Sequence, residues 1–223
     1  MDEDYSVQRL VNTLTIDIET IPDGEKLTVE EMSKLHPKTM SKQETIDKWA
    51  EANVDIEYRK RSLNSLKGRL LCIACKWNDE PTHLIPYNEN EGVMIEAFGH
   101  YLKSLGHSIY ACAIVGHNIR GFDNVWLTQR GFKYGNKDIV GRLVTTRYDK
   151  RLQDTNDLFT LGVHGAYVKL KDMCDFLGVP TPKDDIDGSE VYDVFLSGDL
   201  ERIYKYCKKD VEATYQCYLR MLP

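Results

Sequence analysis

A short stretch near the start of the chain, Leu14-Thr15-Ile16-Asp17-Ile18-Glu19, alternates apolar and polar residues and is rich in β-branched side chains. A period of two marks a strand with one face buried, and it turns Asp17 and Glu19 to the same side. On a strand inside a sheet, two neighbouring carboxylates repel each other and lose hydration, so the fold has to bring something positive between them. A hard divalent cation such as magnesium or manganese suits that place, because it takes oxygen ligands and keeps positions open for water and phosphate. The competing reading is an edge strand whose polar face meets solvent with no ion.

Two further segments carry acids in defined settings. An apolar run from Ile109 to Val115 reads as a strand, and the turn Gly116-His117-Asn118-Ile119-Arg120-Gly121-Phe122 then delivers Asp123 to the start of a helix. A carboxylate there suits the helix dipole, so Asp123 alone could be a cap, which leaves Asn118 and Phe122 unexplained. Near the other end, Asp199 is placed as the N-cap of a helix whose apolar stripe is Leu200, Ile203, Cys207, Val211 and Tyr215. Tyr206 and Asp210 are four apart and share a face beside that stripe, while Lys205, Lys208 and Lys209 point elsewhere. By itself the Tyr206/Asp210 pair is equally an ordinary surface pair.

Taken together, Asp-Ile-Glu-Thr-Ile-Pro-Asp from Asp17, Asn-Ile-Arg-Gly-Phe-Asp from Asn118 and Tyr-Cys-Lys-Lys-Asp from Tyr206 resemble the three motifs of the DEDDy 3'-5' exonucleases. The chain looks most like the stand-alone relatives of the proofreading domain of family-B DNA polymerases, from Thr15 to Leu219. Ser65 to Cys75, Leu170 to Pro180 and Asp187 to Tyr192 also look like that subgroup. The sister class with histidine has that residue five positions before the last acid, where this chain has Lys205.

The resemblance implies an α/β ribonuclease H-like fold, a mixed five-stranded sheet flanked by helices. It also implies catalysis by Asp17, Glu19, Asp123, Tyr206 and Asp210 with two divalent cations, Mg2+ or Mn2+. Phosphodiester hydrolysis needs an activated water, a stabilised leaving oxygen and neutralised charge on phosphorus, and two cations roughly 4 Å apart serve all three needs. Asp17 is expected to bridge both ions, Glu19 and Asp210 to hold the one that carries the water, and Asp123 to hold the other. Tyr206 is expected to orient the water, since a phenol of pKa about 10 is a poor base. Thr20 and Ile21 would meet the terminal nucleotide through backbone and side chain. Asn118 and Phe122 would meet its sugar and base, Phe122 by stacking that ignores base identity.

The partner implied is nucleic acid, single-stranded DNA 3' ends first and RNA second, releasing nucleoside 5'-monophosphates, with replication or repair proteins as further partners. Rival readings are an inert nucleic-acid-binding module, a different ribonuclease H-like nuclease such as a resolvase, and a structural protein with accidental acids.

Length and order along the chain suit a single exonuclease domain, residues 1–223, with a helical insertion at about 23–66 acting as a lid or a patch on the core. Helices are expected at Val29 to Leu35 and Gln43 to Arg59. Strands at Leu70 to Trp77 and His83 to Tyr87, a crossover helix at Val93 to Leu105 and the strand ending at Val115 complete a meander followed by a crossover. A helix at Asn124 to Arg130 and a largely helical last third from Lys169 follow.

Only 13 residues follow Asp210, so no polymerase is expected on this chain and proofreading would act in trans. Met1 to Tyr5 is acidic with no apolar run behind it, and no stretch is long enough to span a bilayer, so a cytoplasmic protein without a membrane partner is expected. Six scattered cysteines read as reduced core thiols. Cys72 and Cys75 would face opposite sides of a strand, which argues against zinc.

The formal net charge of −6 gives no global field for a polyanion. Two bound divalent cations would offset four of the negatives, leaving about −2. Two basic clusters, Arg59, Lys60, Arg61, Lys67 and Arg69, and Arg142, Arg147, Lys150 and Arg151, are candidates for phosphate contact or solvated faces.

Overall fold

A computed structural model describes residues 12–143, 146, 148–180 and 186–222; Met1 to Tyr5 and Arg147 lie outside them. The alternating segment forms the middle of strand β1 (Asn12–Pro22), which is longer than the pattern alone marks because Thr13, Thr20 and Ile21 are also buried. Strand β2 (Gly68–Trp77) pairs with it antiparallel, and β3 (His83–Ile85) pairs antiparallel with β2. Pro86 follows Ile85 without an amide to donate, so β3 stops short of the expected Tyr87.

Helix α3 (Glu91–Ser104) crosses over to β4 (Cys112–Gly116), which runs parallel to β1, and β5 (Leu152–Asp154) lies parallel to β4. The resulting order is β3-β2-β1-β4-β5, a mixed five-stranded sheet with β1 in the centre. The meander and crossover therefore form as the sequence pattern suggests. One boundary differs. Residues Gly106–Ala111 are a 3-10 turn, and the strand expected from Ile109 begins at Cys112. Gly106 takes φ +64°, and exposed Tyr110 follows buried Ile109, so the run bends before it can pair.

Even-numbered β1 residues Leu14, Ile16 and Ile18 pack with Met94, Ile95, Phe98 and Leu102 of α3 and with Trp126 and Leu127 of α4 (Asp123–Lys133). Burying such a side chain fully stabilises the fold by about 1.5–3 kcal/mol each. α5 (Lys137–Arg142) adds Ile139 to this face. Cys75 joins it, whereas Cys72 packs on the opposite face with Ile203, Cys207 and Val211, so the two cysteines do point apart. All six cysteines are free and buried.

Short α6 (Thr155–Phe159) and α7 (Leu170–Leu177) precede α8 (Val191–Leu196) and the long α9 (Leu200–Met221), and α8 and α9 cover the second face of the sheet. Asp199 caps α9, its side chain accepting from the Arg202 amide. Between β1 and β2 run α1 (Val29–Ser33), with a reciprocal Thr28/Glu31 cap, α2 (Gln43–Arg59) and a 3-10 turn, Lys60–Leu63. This segment is tied down where Arg59 meets Asp193 of α8 at 2.6 and 2.9 Å and where Thr20 Oγ1 donates to the Ser62 carbonyl at 2.6 Å. Among the described residues no helix is long and apolar enough to cross a membrane.

Candidate active site

Odd-numbered β1 residues face α9, so the strand's period of two delivers Asp17 and Glu19 to the helix that carries Tyr206 and Asp210. α9 seats Ile203, Cys207 and Val211 against the sheet, which leaves Tyr206 and Asp210 half-buried at the edge of the contact. The Cys207 thiol donates to Asp17 Oδ2 at 3.3 Å. One ligand atom each from Asp17, Glu19 and Cys207 lies within 4.8 Å of the others. A register shift between Glu19 and Thr20 lets β1 bend past the acids.

Asp123 arrives from the other side. It is the first residue of α4, yet its carboxylate is not used as a cap there: Oδ1 accepts the Ile18 amide at 3.1 Å, beyond the point where β4 stops pairing with β1. A central-strand amide that has run out of sheet partners thus fixes the acid beside Asp17.

The loop that delivers it is organised by Asp154, at the end of β5. Its carboxylate accepts the amides of Asn118 at 2.9 Å, Arg120 at 3.0 Å and Asn156 at 3.0 Å. This buried acid is the residue the sequence reading missed. Its strand, Leu152–Asp154, is only three residues long, and the helix cap that follows does not by itself mark the acid as a loop anchor.

The electrostatics explain why such a cluster asks for cations. Burial, then the charges of Asp123, Glu19 and Asp210, hold the Asp17 carboxyl well above the usual range, with the Cys207 hydrogen bond pulling the other way. Glu19 is raised by burial, by Cys72 and by the charges of Asp210 and Asp123. Asp123 is pushed up to about 7, chiefly by burial. Burial and then Asp210, which also accepts the phenol's hydrogen bond, push Tyr206 far up, so its hydroxyl stays protonated. Burial is the largest burden on Asp17, Glu19 and Asp123, the charges of neighbouring acids add to it, and the hard oxygens of the cluster fit a divalent cation.

The remaining expected residues fall as follows. Asn118 is exposed with φ +60°, and Phe122 is half-buried, its ring 5.8 Å from that of Trp126. Both sit on the loop beside Asp123. Thr20 and Ile21 lie next to Glu19 but have buried side chains, Thr20 bound to Ser62 and Ile21 packed with Ile203. Lys205 and Lys208 are exposed.

Much of the first basic cluster is already engaged. Arg59 pairs with Asp55 and Asp193, Lys60 pairs with Glu57, and Arg69 donates to the carbonyls of Asn88 and Glu89. In the second, Arg142 pairs with Asp138 and Arg151 with Asp149.

The sheet order and the flanking helices define a ribonuclease H-like α/β protein of the kind found in the exonuclease domain of a family-B polymerase. The chain belongs to the family described as predicted 3'-5' exonuclease related to the exonuclease domain of PolB, which matches residues 69–222. β1 and its two acids lie ahead of that span.

An uncharacterized protein of Methanocaldococcus jannaschii is 32% identical over 179 residues, covering 76% of this chain and 93% of its own length. A DNA polymerase of Archaeoglobus fulgidus is 26% identical over 176 residues, 70% of this chain but 20% of the polymerase. The structure of the family B DNA polymerase from Pyrobaculum calidifontis superposes with a TM-score of 0.61 at 16% identity, over 95% of this chain and 24% of that one, a likeness of fold. The chain thus spans about a quarter or less of the polymerases it matches.

Proposed function

We propose that this protein is a metal-dependent 3'-5' exonuclease that removes nucleoside 5'-monophosphates from the 3' ends of single-stranded DNA inside the cell. The observation that carries the reading is the convergence of Asp17, Glu19, Asp123 and Asp210 from β1, α4 and α9 on one half-buried spot, with a neutral phenol at its edge. Asp17, Glu19, Asp123 and Asp210 would hold two divalent cations, which when bound supply an activated water and charge stabilisation for phosphodiester hydrolysis.

Tyr206 keeps its proton, so it acts as a hydrogen-bond donor that orients rather than as a base that abstracts. Asp123 is anchored to β1 by the Ile18 amide, which donates to its Oδ1 and keeps the carboxylate close enough for its charge to act on Asp17. Asp154 holds the Asn118 to Phe122 loop in place, and Phe122 offers a ring for the terminal base that discriminates no base from another. Family B polymerases among the relatives make DNA the first substrate to try.

Incubating the protein with manganese and a 5'-labelled single strand tests the reading. A ladder shortening from the 3' end supports it. Internal cuts point instead to a resolvase-type nuclease, and retained binding without cleavage points to an inert module; either result overturns it.

A further inference from the structure

Among the described residues a cleft of about 530 Å³ opens between the segment that follows β1, the loop leading into β2 and the last turns of α4. Its walls carry Arg61, Lys67, Arg130 and Lys133, and among the described residues Asp23 is the one acid lining it. Glu91 lies behind, where it binds Arg130 at 2.8 Å and Lys133 at 3.3 Å. Among the described residues Arg61 meets no carboxylate: its guanidinium lies over the Tyr58 ring and donates to the backbone carbonyls of Asp23 and Glu25 at 3.0 and 2.8 Å. Lys67 is exposed and makes no side-chain hydrogen bond or ion pair among the described residues. Four cations therefore face two carboxylates, an excess of two positive charges in a chain whose formal net charge is −6.

The position of this cleft gives the excess a use. β1 runs from Glu19 to its end at Pro22, three residues or roughly 10 Å of strand, and Asp23 follows on the cleft wall. α4 runs from Asp123 to Lys133 into the same cleft, ten residues or about 15 Å of helix. The two elements that carry three of the acids thus both lead to it. A cluster of carboxylates repels a polyanion, whereas a basic cleft one short walk away attracts it. Leu66, 82% exposed on the cleft wall, offers apolar surface to a base without any hydrogen-bond readout.

We propose that this cleft docks the sugar-phosphate backbone of single-stranded nucleic acid a few nucleotides upstream of the bond to be cut. The proposal rests on the exonuclease reading for its substrate and on the cleft's charge and placement for its site. Lys67 and Lys133 are the phosphate contacts.

The test is the Lys67→Ala/Lys133→Ala double variant. Glu91 keeps Arg130 and Tyr134 as partners, so the fold stays in place. Cleavage in manganese is measured on a 12-nucleotide single strand and on a dinucleotide, which reaches only the acids, and binding of the labelled 12-mer is followed by anisotropy across a salt series. The expected result is a KM for the 12-mer raised on the order of 10-fold, kcat and dinucleotide cleavage unchanged, and a salt slope shallower by about 1.4, as two lost phosphate contacts on a single strand require.

An unchanged KM and salt slope overturn the cleft while leaving the exonuclease reading standing. Lysine-dependent binding by a wild-type protein that cleaves neither substrate does the reverse. Equal dependence on blunt duplex overturns the single-strand assignment.

Discussion

On the proposed exonuclease reading, Tyr206 is the residue on which the chemistry would turn. Burial, reinforced by Asp210, Glu19 and Asp17, keeps its hydroxyl neutral, and that hydroxyl already donates to Asp210. Tyr206→Phe keeps the ring and removes one hydrogen bond, so single-turnover excision is expected to slow by roughly 10- to 1,000-fold while the cation titration stays put. Unaltered excision would reject an orienting role, and a weakened titration would mean the phenol sits among the ligands. Asp17→Ala and Asp210→Ala are each expected to abolish cleavage. Both should leave the melting temperature in chelator equal to or above wild type, because each removes a carboxylate that its neighbours repel. These residues could be read from the chain because simple periods carry them, two along β1 and four along α9. Asp154 could not. Its carboxylate serves amides 34 and 36 positions away, and no local pattern announces such a partner.

At the scale of elements, one buried carboxylate joins three of them. Glu91, at the start of α3, accepts the Leu70 amide of β2 at 2.8 Å and the Arg130 guanidinium of α4 at 2.8 Å, and Tyr134 donates to its second oxygen at 2.9 Å. Glu91→Ala leaves Arg130 buried without its charge partner and is expected to cost about 3–5 kcal/mol in urea unfolding. Loss of less than about 1 kcal/mol would show that water reaches the site and that the link is ornamental. The long elements followed their patterns. α2 occupies the expected Gln43–Arg59, and β2 the expected run with two residues added ahead of Leu70. The short ones did not: β5 has three residues, too few for any period, and is a strand only because β4 offers it an edge. Gly68 shows another limit. A Cβ there would sit 2.6 Å from the Arg61 carbonyl and 2.8 Å from that of Ile21, a constraint set by chain crossings rather than by neighbours in sequence.

For the molecule as a whole, stability and charge are linked through the acids. Asp123 protonates near 7 when folded and near 4 when unfolded, so between those values the folded chain holds a proton that the unfolded chain does not. Stability therefore falls as pH rises through that window, by at most about 1.4 kcal/mol per pH unit for one group. Asp17 and Glu19 act with the same sign. His117, kept neutral by burial, acts with the opposite one. In chelator the melting temperature is expected to drop from pH 5 to pH 8, Asp123→Asn is expected to flatten the drop, and magnesium is expected to restore more at pH 8 than at pH 5. A melting temperature that climbs over that range in chelator would show that other groups outweigh the acid cluster.

The meander and the crossover to a fourth strand were legible at this scale, but β5 and the face of the sheet that each helix covers were not, the latter because it depends on where α9 returns. That return has one more consequence. Ile18 meets Asp123 across 105 positions, and Asp17 meets Cys207 across 190. Contacts of such span carry the entropy cost of closing long loops before they can form. A piece of the chain that lacks one side of either span cannot hold these acids together. On the proposed function, a chain still lacking α9, or a fragment without it, is expected to cut nothing.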